Sequence, residues 1–410
     1  MRNSASMDVV PSYAHRLALV SFFGLVISIP FTNSGVEVFA GLAILLSVVY
    51  AAFMVRQDAE LLKAVLRDRI AIFAMLFFIV MGVSLVNCGE YLGQGARAWI
   101  CKWGEGIAVL LAMRLILTKK KAEQLVIALA VAGAVAAIDG IVQKMTGTDF
   151  IRGNAIVAAR DFKAVSGAFG HYNDYAALLA VILFVNVGIF LRYRNIWARV
   201  AVSLSQILVV LDLLFTYSRG AWVSVVLVIM LLSFVFLRTR HMLFALLAFA
   251  VFISLISLDP SISQRVMYMT IKGGDAGRLD IWKAGFLMVK DSPVIGCGLN
   301  TFTARLQEHS MYSNQYAHNC YVQILAETGI AGLISFLALI CVAMARAFNG
   351  LKARANGILL GLFGGMSAFL AHSFFDTQLY TIRLSILFWA MMGLISVLTS
   401  ANAERPGTTR

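Results

Sequence analysis

The chain has 410 residues, 60% of them hydrophobic and only 13% charged, with a mean hydropathy of +0.84 and a formal net charge of +13. A water-soluble globule carries about 25% charged residues, so the composition excludes one and points to a polytopic membrane protein. The excess of positive charge does not describe a nucleic-acid surface, because it sits in short loops between apolar runs rather than in one patch or arm.

A bilayer core about 30 Å thick takes about 20 apolar residues per helix, and runs of that length recur along the whole chain. They predict an all-α protein of about twelve transmembrane helices, at 15–31, 35–55, 70–86, 99–117, 122–142, 172–191, 198–216, 220–237, 240–258, 320–345, 356–375 and 382–400. The first run, Leu17 to Pro30, leads straight into another span with no small-residue cleavage pattern, so it is expected to act as an uncleaved signal. Residues 1–14 are expected in the cytoplasm, 15–400 form one membrane domain, and 401–410 are a cytoplasmic tail. With the N-terminus inside, the inner loops collect most of the lysines and arginines, among them Arg56, Lys63, Arg67, Arg69, Lys119 and Arg346. An even number of spans then places a large loop, 259–319, outside, between the ninth and tenth helices. Its basic residues oppose the usual bias and call for a reason.

Five cysteines are scattered without metal-ligand spacing, so they suggest neither a zinc site nor a disulfide framework. Arg97 and Lys102, near Trp99, Trp103 and Glu105, open the fourth span. They read either as an aromatic-belt anchor with snorkelling bases or as cationic lining for a polyanionic lipid headgroup. Arg219, in Tyr217-Ser218-Arg219-Gly220, stands between two apolar runs almost without a loop. An unpaired charge near that depth costs on the order of 2 kcal/mol or more. It either snorkels to the outer headgroups or offers a planar fork to a phosphate or carboxylate.

In the outer loop, Trp282, Gly285, Phe286 and Val289 recur at helical spacing and predict an amphipathic helix stopped by Ser292-Pro293. Arg278 stands in its first turn, where free N–H groups and the helix dipole favour an anion. A helix lying on the membrane without a ligand is the alternative. His318-Asn319 begins the tenth span. A lone histidine at a helix start is commonly structural, yet beside two outer arginines a neutral imidazole could take a proton from a hydroxyl. Asp139, Asp212 and Asp376 lie in or beside spans and are expected to pair with arginines such as Arg219 or Arg383.

Ser218-Arg219-Gly220, Gly277-Arg278 with Trp282, Asp291-Ser292-Pro293-Val294-Ile295-Gly296-Cys297-Gly298, and Ala317-His318-Asn319 with Gln323 and Glu327 together resemble the O-antigen ligase and polymerase superfamily. Gly170-His171-Tyr172-Asn173 and His372-Ser373-Phe374-Phe375-Asp376 extend the resemblance to about residues 165–395. It implies a metal-independent, inverting membrane glycosyltransferase of the GT-C type in the bacterial inner membrane, with its active site facing the periplasm and no cofactor. Such enzymes move a glycan from undecaprenyl diphosphate, a ligase to lipid A core oligosaccharide and a polymerase to another repeat unit. By this likeness His318, Arg219 and Arg278 are catalytic, the imidazole as base and the arginines on the diphosphate. Arg97, Lys102, Asn173, Trp282, Asn319 and Asp376 are expected at the substrate. The single outer insertion looks more like the ligases than the polymerases. A transporter or flippase, the reading from another class, would show inverted repeats and more charge at mid-span.

Overall fold

The computed structural model describes residues 4–57, 59–159, 162–236 and 276–400; the ninth predicted span, 240–258, and the first part of the outer loop lie outside them. The described residues are mostly helical: α1 Ser4–Ser28, α2 Asn33–Gln57, α3 Ala59–Leu66, α4 Arg69–Ser84, α5 Leu92–Ala98, α6 Glu105–Ile116, α7 Lys119–Thr146, α8 Tyr172–Arg192, α9 Ile196–Phe215, α10 Arg219–Phe236, α11 Ala276–Asp291, α12 Cys320–Ala353, α13 Gly357–His372 and α14 Ile382–Leu398. A two-stranded hairpin, β1 Val157–Ala159 and β2 Phe162–Ala164, decorates the link between α7 and α8. Among the described residues, eight helices are long and apolar enough to cross a membrane, with α13 and α14 as shorter apolar helices.

Side-chain caps mark several helix starts and so fix where the chain turns back. Asp68 accepts from Ile70 N at the head of α4, Asn195 from Trp197 N and Ala198 N at α9, Asn319 from Tyr321 N and Val322 N at α12, and Asn356 from Ile358 N and Leu359 N at α13. Each satisfies amide groups that a helix terminus leaves unpaired. The predicted fourth span is not one regular helix. Residues 99–104 form a π-helical stretch between α5 and α6, a wider turn that displaces Trp99 to Gly104 from α-helical phase.

α14 sits at the centre, with every residue from Arg383 to Leu398 buried. It packs on α6, where a Cβ at Gly106 would lie 2.0 Å from the Trp389 ring. Two helix backbones approach closely where α8 meets α13. A Cβ on Gly188 would stand 2.4 Å from the Gly357 oxygen, and one on Gly361 2.9 Å from the Phe184 oxygen. In lipid, where the apolar effect does not drive helices together, such small-residue seams permit the close packing that does.

α12 is broken at Gly329, whose φ of 67° and ψ of −170° interrupt the helix. The outer loop fills the break. Ile330 N donates to Pro293 O at 2.9 Å, Cys297 N to Ala326 O at 2.8 Å and Gly298 N to Glu327 O at 3.1 Å. Only glycine fits at the contact, since a Cβ at Gly296 would lie 2.4 Å from the Glu327 carbonyl carbon and one at Gly329 2.3 Å from that of Val294. The sequence reads 293–298 as a turn; the structure shows it docked as the hydrogen-bonding partner of a split helix, the condition under which irregular backbone survives at such depth.

α11 forms as expected but with a shifted face. Ile281, Ala284, Gly285 and Met288 are buried, while Phe286 is 53% exposed. Ile281 and Met288 outcompete the more bulky Phe286 because they face Phe302, Leu306 and Ala326 in a small separate core. All five cysteines are free thiols.

Candidate functional site

Five segments meet at one end of the bundle: the start of α8, the Tyr217-Ser218-Arg219 link, the first turn of α11, the 317–319 approach to α12, and the 372–377 link after α13. A chain of polar contacts runs through them. His318 Nδ1 lies 3.2 Å from Asp376 Oδ1, Asn173 Nδ2 donates to Asp376 Oδ2 at 2.7 Å, and Ser218 Oγ donates to Asn173 Oδ1 at 2.8 Å. Ser218 Oγ also stands 3.5 Å from His372 Nε2. Asp376 is 6% exposed. Burial alone would raise its carboxyl pKa, but the hydrogen bond and charge of His318 hold it well below the usual carboxylate range. A carboxylate at Nδ1 selects the tautomer in which Nδ1 carries the proton and Nε2 presents its lone pair, an assignment made from this network. Among the described residues Nε2 makes no hydrogen bond, and the side chain is 34% exposed.

The backbone aims the ring. His318 has φ of 48°, a left-handed conformation that costs a non-glycine residue roughly 1–2 kcal/mol. Ala317 just before it is held from both sides: its carbonyl accepts the Trp282 indole N–H at 2.8 Å, and its N–H donates to Gln323 Oε1 at 2.8 Å. Asn319 just after it caps α12. The Arg278 guanidinium donates to the Phe375 carbonyl at 3.2 Å, one residue before Asp376 in the chain. Arg219 and Arg278 line a cavity of about 110 Å³ together with Asn173, Ser218 and His372. A small basic cavity next to an oriented imidazole suits an anionic leaving group and the hydroxyl that displaces it.

Residues 204–337 match the family model of the O-antigen ligases. The match supports the O-antigen ligase and polymerase superfamily for this chain, in agreement with the motifs read from the sequence. Comparison with curated proteins gave no match. The matched segment holds Arg219, Arg278, Trp282, His318 and Asn319, whereas Asn173 and Asp376 come from outside it.

The structure thus brings His318, Arg278, Arg219, Asn173, Trp282 and Asp376 to one place. Two of the expected substrate residues stand elsewhere. Arg97 and Lys102 line a second cavity of about 560 Å³ with Glu37, Glu105 and Tyr316. Lys102 donates to the Tyr380 carbonyl at 3.1 Å and lies 4.2 Å from the centre of its ring. Tyr380 in turn is 5.7 Å, centre to centre, from Tyr316, two residues before His318. Asn319 is 1% exposed and its amide oxygen is taken by the helix cap, so its observed task is to start α12 rather than to face a ligand. The aspartates find other partners than the expected arginines. Asp376 has His318 and Asn173, Asp139 takes the N–H groups of Phe150 and Ile151, and Asp212 takes the Tyr175 hydroxyl. Arg383 donates instead to the carbonyls of Ala168 and Phe169.

Sequence reasoning missed Ser218 and His372. Both lie inside quoted motifs, but their meeting joins positions 154 residues apart and no local pattern announces it. Among the described residues no group of three or more His, Cys, Asp or Glu stands close enough to hold a metal ion.

Proposed function

We propose that this protein is an O-antigen ligase, transferring a glycan from undecaprenyl diphosphate to a sugar hydroxyl of lipid A core oligosaccharide on the periplasmic face of the bacterial inner membrane. The observation that carries the reading is the Asp376-oriented imidazole of His318 beside the cavity shared by Arg219 and Arg278. In the proposed step His318 Nε2 takes the acceptor hydroxyl proton as the oxygen attacks the anomeric carbon. The bond from that carbon to the diphosphate breaks with inversion, and the charge gathering on the leaving oxygen is met by the two guanidinium groups. Asp376 stabilises the imidazolium that forms, in the manner of a catalytic carboxylate behind histidine.

The two cavities divide the substrates. The Arg219 and Arg278 cavity takes the diphosphate of the donor, and the larger one lined by Arg97 and Lys102 takes the acceptor, whose core region carries negative charge. Tyr316, two residues before His318, lines the second cavity, and His318 bonds Asp376, whose other oxygen holds Asn173 in the wall of the first.

The deciding experiment uses purified protein in nanodiscs with an undecaprenyl diphosphate-linked glycan, offered either lipid A core or a second lipid-linked glycan. Product on lipid A core supports the ligase. Product only on the second glycan makes the protein a polymerase of the same superfamily, and donor movement across the bilayer without any glycosidic product makes it a transporter.

A further inference from the structure

At the end of the bundle remote from His318 lies a cavity of about 720 Å³. α4 begins there at Arg69, α6 approaches its end there at Arg114, α12 passes at Arg346, and the chain leaves α14 there at Thr399. α14 starts in the link that carries Asp376, and its 17 residues span about 25 Å at roughly 1.5 Å per residue. The cavity and the imidazole are therefore separated by most of an apolar bilayer core, which is about 30 Å thick.

Four guanidinium groups line this hollow, Arg67, Arg69, Arg114 and Arg346, against one carboxylate, Asp68. Asp68 is 6% exposed and fully engaged. Its Oδ1 caps α4 through Ile70 N at 2.9 Å, its Oδ2 accepts from the Ser396 hydroxyl at 3.0 Å and from the Arg346 guanidinium, and the same oxygen forms an ion pair with Arg114 Nε at 3.5 Å. The single acid thus anchors two of the arginines in the wall and forms no ion pair with the other two. Arg67 and Arg69 are exposed and make no ion pair among the described residues. The bias that keeps basic residues on the inner side of a membrane asks only that they sit in loops. It does not ask for a buried acid that fixes guanidinium groups around a concave space. Val342 and Ala345 give that space an apolar wall beside the charged one.

We propose that this cavity binds a phosphate group, gripped by Arg67 and Arg69 with the fixed pair Arg114 and Arg346 behind them. Planar guanidinium groups recognise phosphate oxygens two at a time, and basic pockets between membrane helices suit phospholipid headgroups. The phosphate belongs either to an anionic glycerophospholipid or to a water-soluble phosphate ester. The site stands apart from the transfer reaction and does not depend on it.

The test takes full-length protein, delipidated in detergent, and titrates it with phosphatidylglycerol, phosphatidylcholine or glycerol 1-phosphate, reading the melting temperature and bound mass by native mass spectrometry. We expect phosphatidylglycerol to raise the melting temperature and to stay bound where the zwitterionic lipid does not. The double variant Arg67→Gln with Arg69→Gln, whose ligand-free melting temperature checks its fold, should need at least tenfold more ligand for half the effect. Arg278→Gln should not change it. Equal protection by glycerol 1-phosphate assigns a soluble ester; protection by the lipid alone assigns a headgroup. A double variant that binds phosphatidylglycerol as well as the wild type, or a wild type that responds to neither anionic ligand, overturns the proposal.

Discussion

Asn173 and Asp376 are 203 positions apart, yet the amide of one donates to the carboxylate of the other at 2.7 Å. That bond joins the head of α8 to the link after α13 and leaves the second carboxylate oxygen for His318 and the Thr377 N–H. The catalytic proposal depends on this division of one carboxylate between two side chains.

Replacing His318 by Ala is expected to lower glycan transfer by about 10²- to 10⁴-fold, the usual contribution of a positioned base. Membrane insertion and donor binding should persist. Transfer at the wild-type rate in nanodiscs would remove the base assignment. Asp376→Asn should lose a comparable factor, because an amide neither selects the same tautomer nor stabilises the imidazolium.

Arg219→Lys and Arg278→Lys each keep the charge and lose the planar fork. Turnover should fall at least tenfold in each, since an ammonium cannot hold two phosphate oxygens in one plane. Unchanged kcat/KM for the lysine variants would show that charge alone suffices.

Trp282→Phe keeps the ring but removes the donor to the Ala317 carbonyl, a bond worth about 1 kcal/mol net. The ring's edge contact with Phe374, 5.7 Å between centres, is retained. We expect kcat to fall while KM for either substrate stays near wild type, because the change acts on the aim of His318. A rise in KM with kcat unchanged would instead make Trp282 a binding surface.

Because arginines are assigned the charge on the leaving group, EDTA should leave transfer unchanged. Inhibition by EDTA, reversed by Mg²⁺, would refute that assignment.

Burial pushes the Cys297 thiol up to about 11. The reactive form is the thiolate, so alkylation at pH 7 should reach only about 10⁻⁴ of its limiting rate and rise roughly tenfold per pH step until near pH 11. The exposed Cys101 and Cys341 should react before it. Rapid neutral labelling of Cys297 in intact protein would mean that the 293–298 turn is not seated in the α12 break.

Much of the architecture was legible in the sequence because apolar run length is a one-dimensional property: most of the described helices begin and end close to the predicted boundaries, although α1 starts at Ser4 rather than 15 and α12 runs on to Ala353 rather than 345. Arg219, Arg278 and His318 were expected together from a common side; Arg219 and Arg278 line one cavity, and His318 is linked to its wall through Asp376 and Asn173. What escaped is what depends on partners distant in sequence. Arg97 and Lys102 line a different cavity, which Tyr316 also lines, and Lys102 packs on the Tyr380 ring. The buried face of α11 was set by Phe302 and Leu306, which its own periodicity does not contain. The break in α12 carries a glycine, yet only the loop that enters it explains why.

The glycine seam between α8 and α13 bears on how finely the reaction is tuned. Asn173 stands near the head of α8 and Asp376 just beyond the tail of α13, so the gap between those two backbones works as a spacer gauge for the hydrogen bond that joins them. A methyl group on Gly188 or Gly361 would pry the helices apart at the end of the seam remote from Asn173, and the misfit would surface at the imidazole, far from the altered atom.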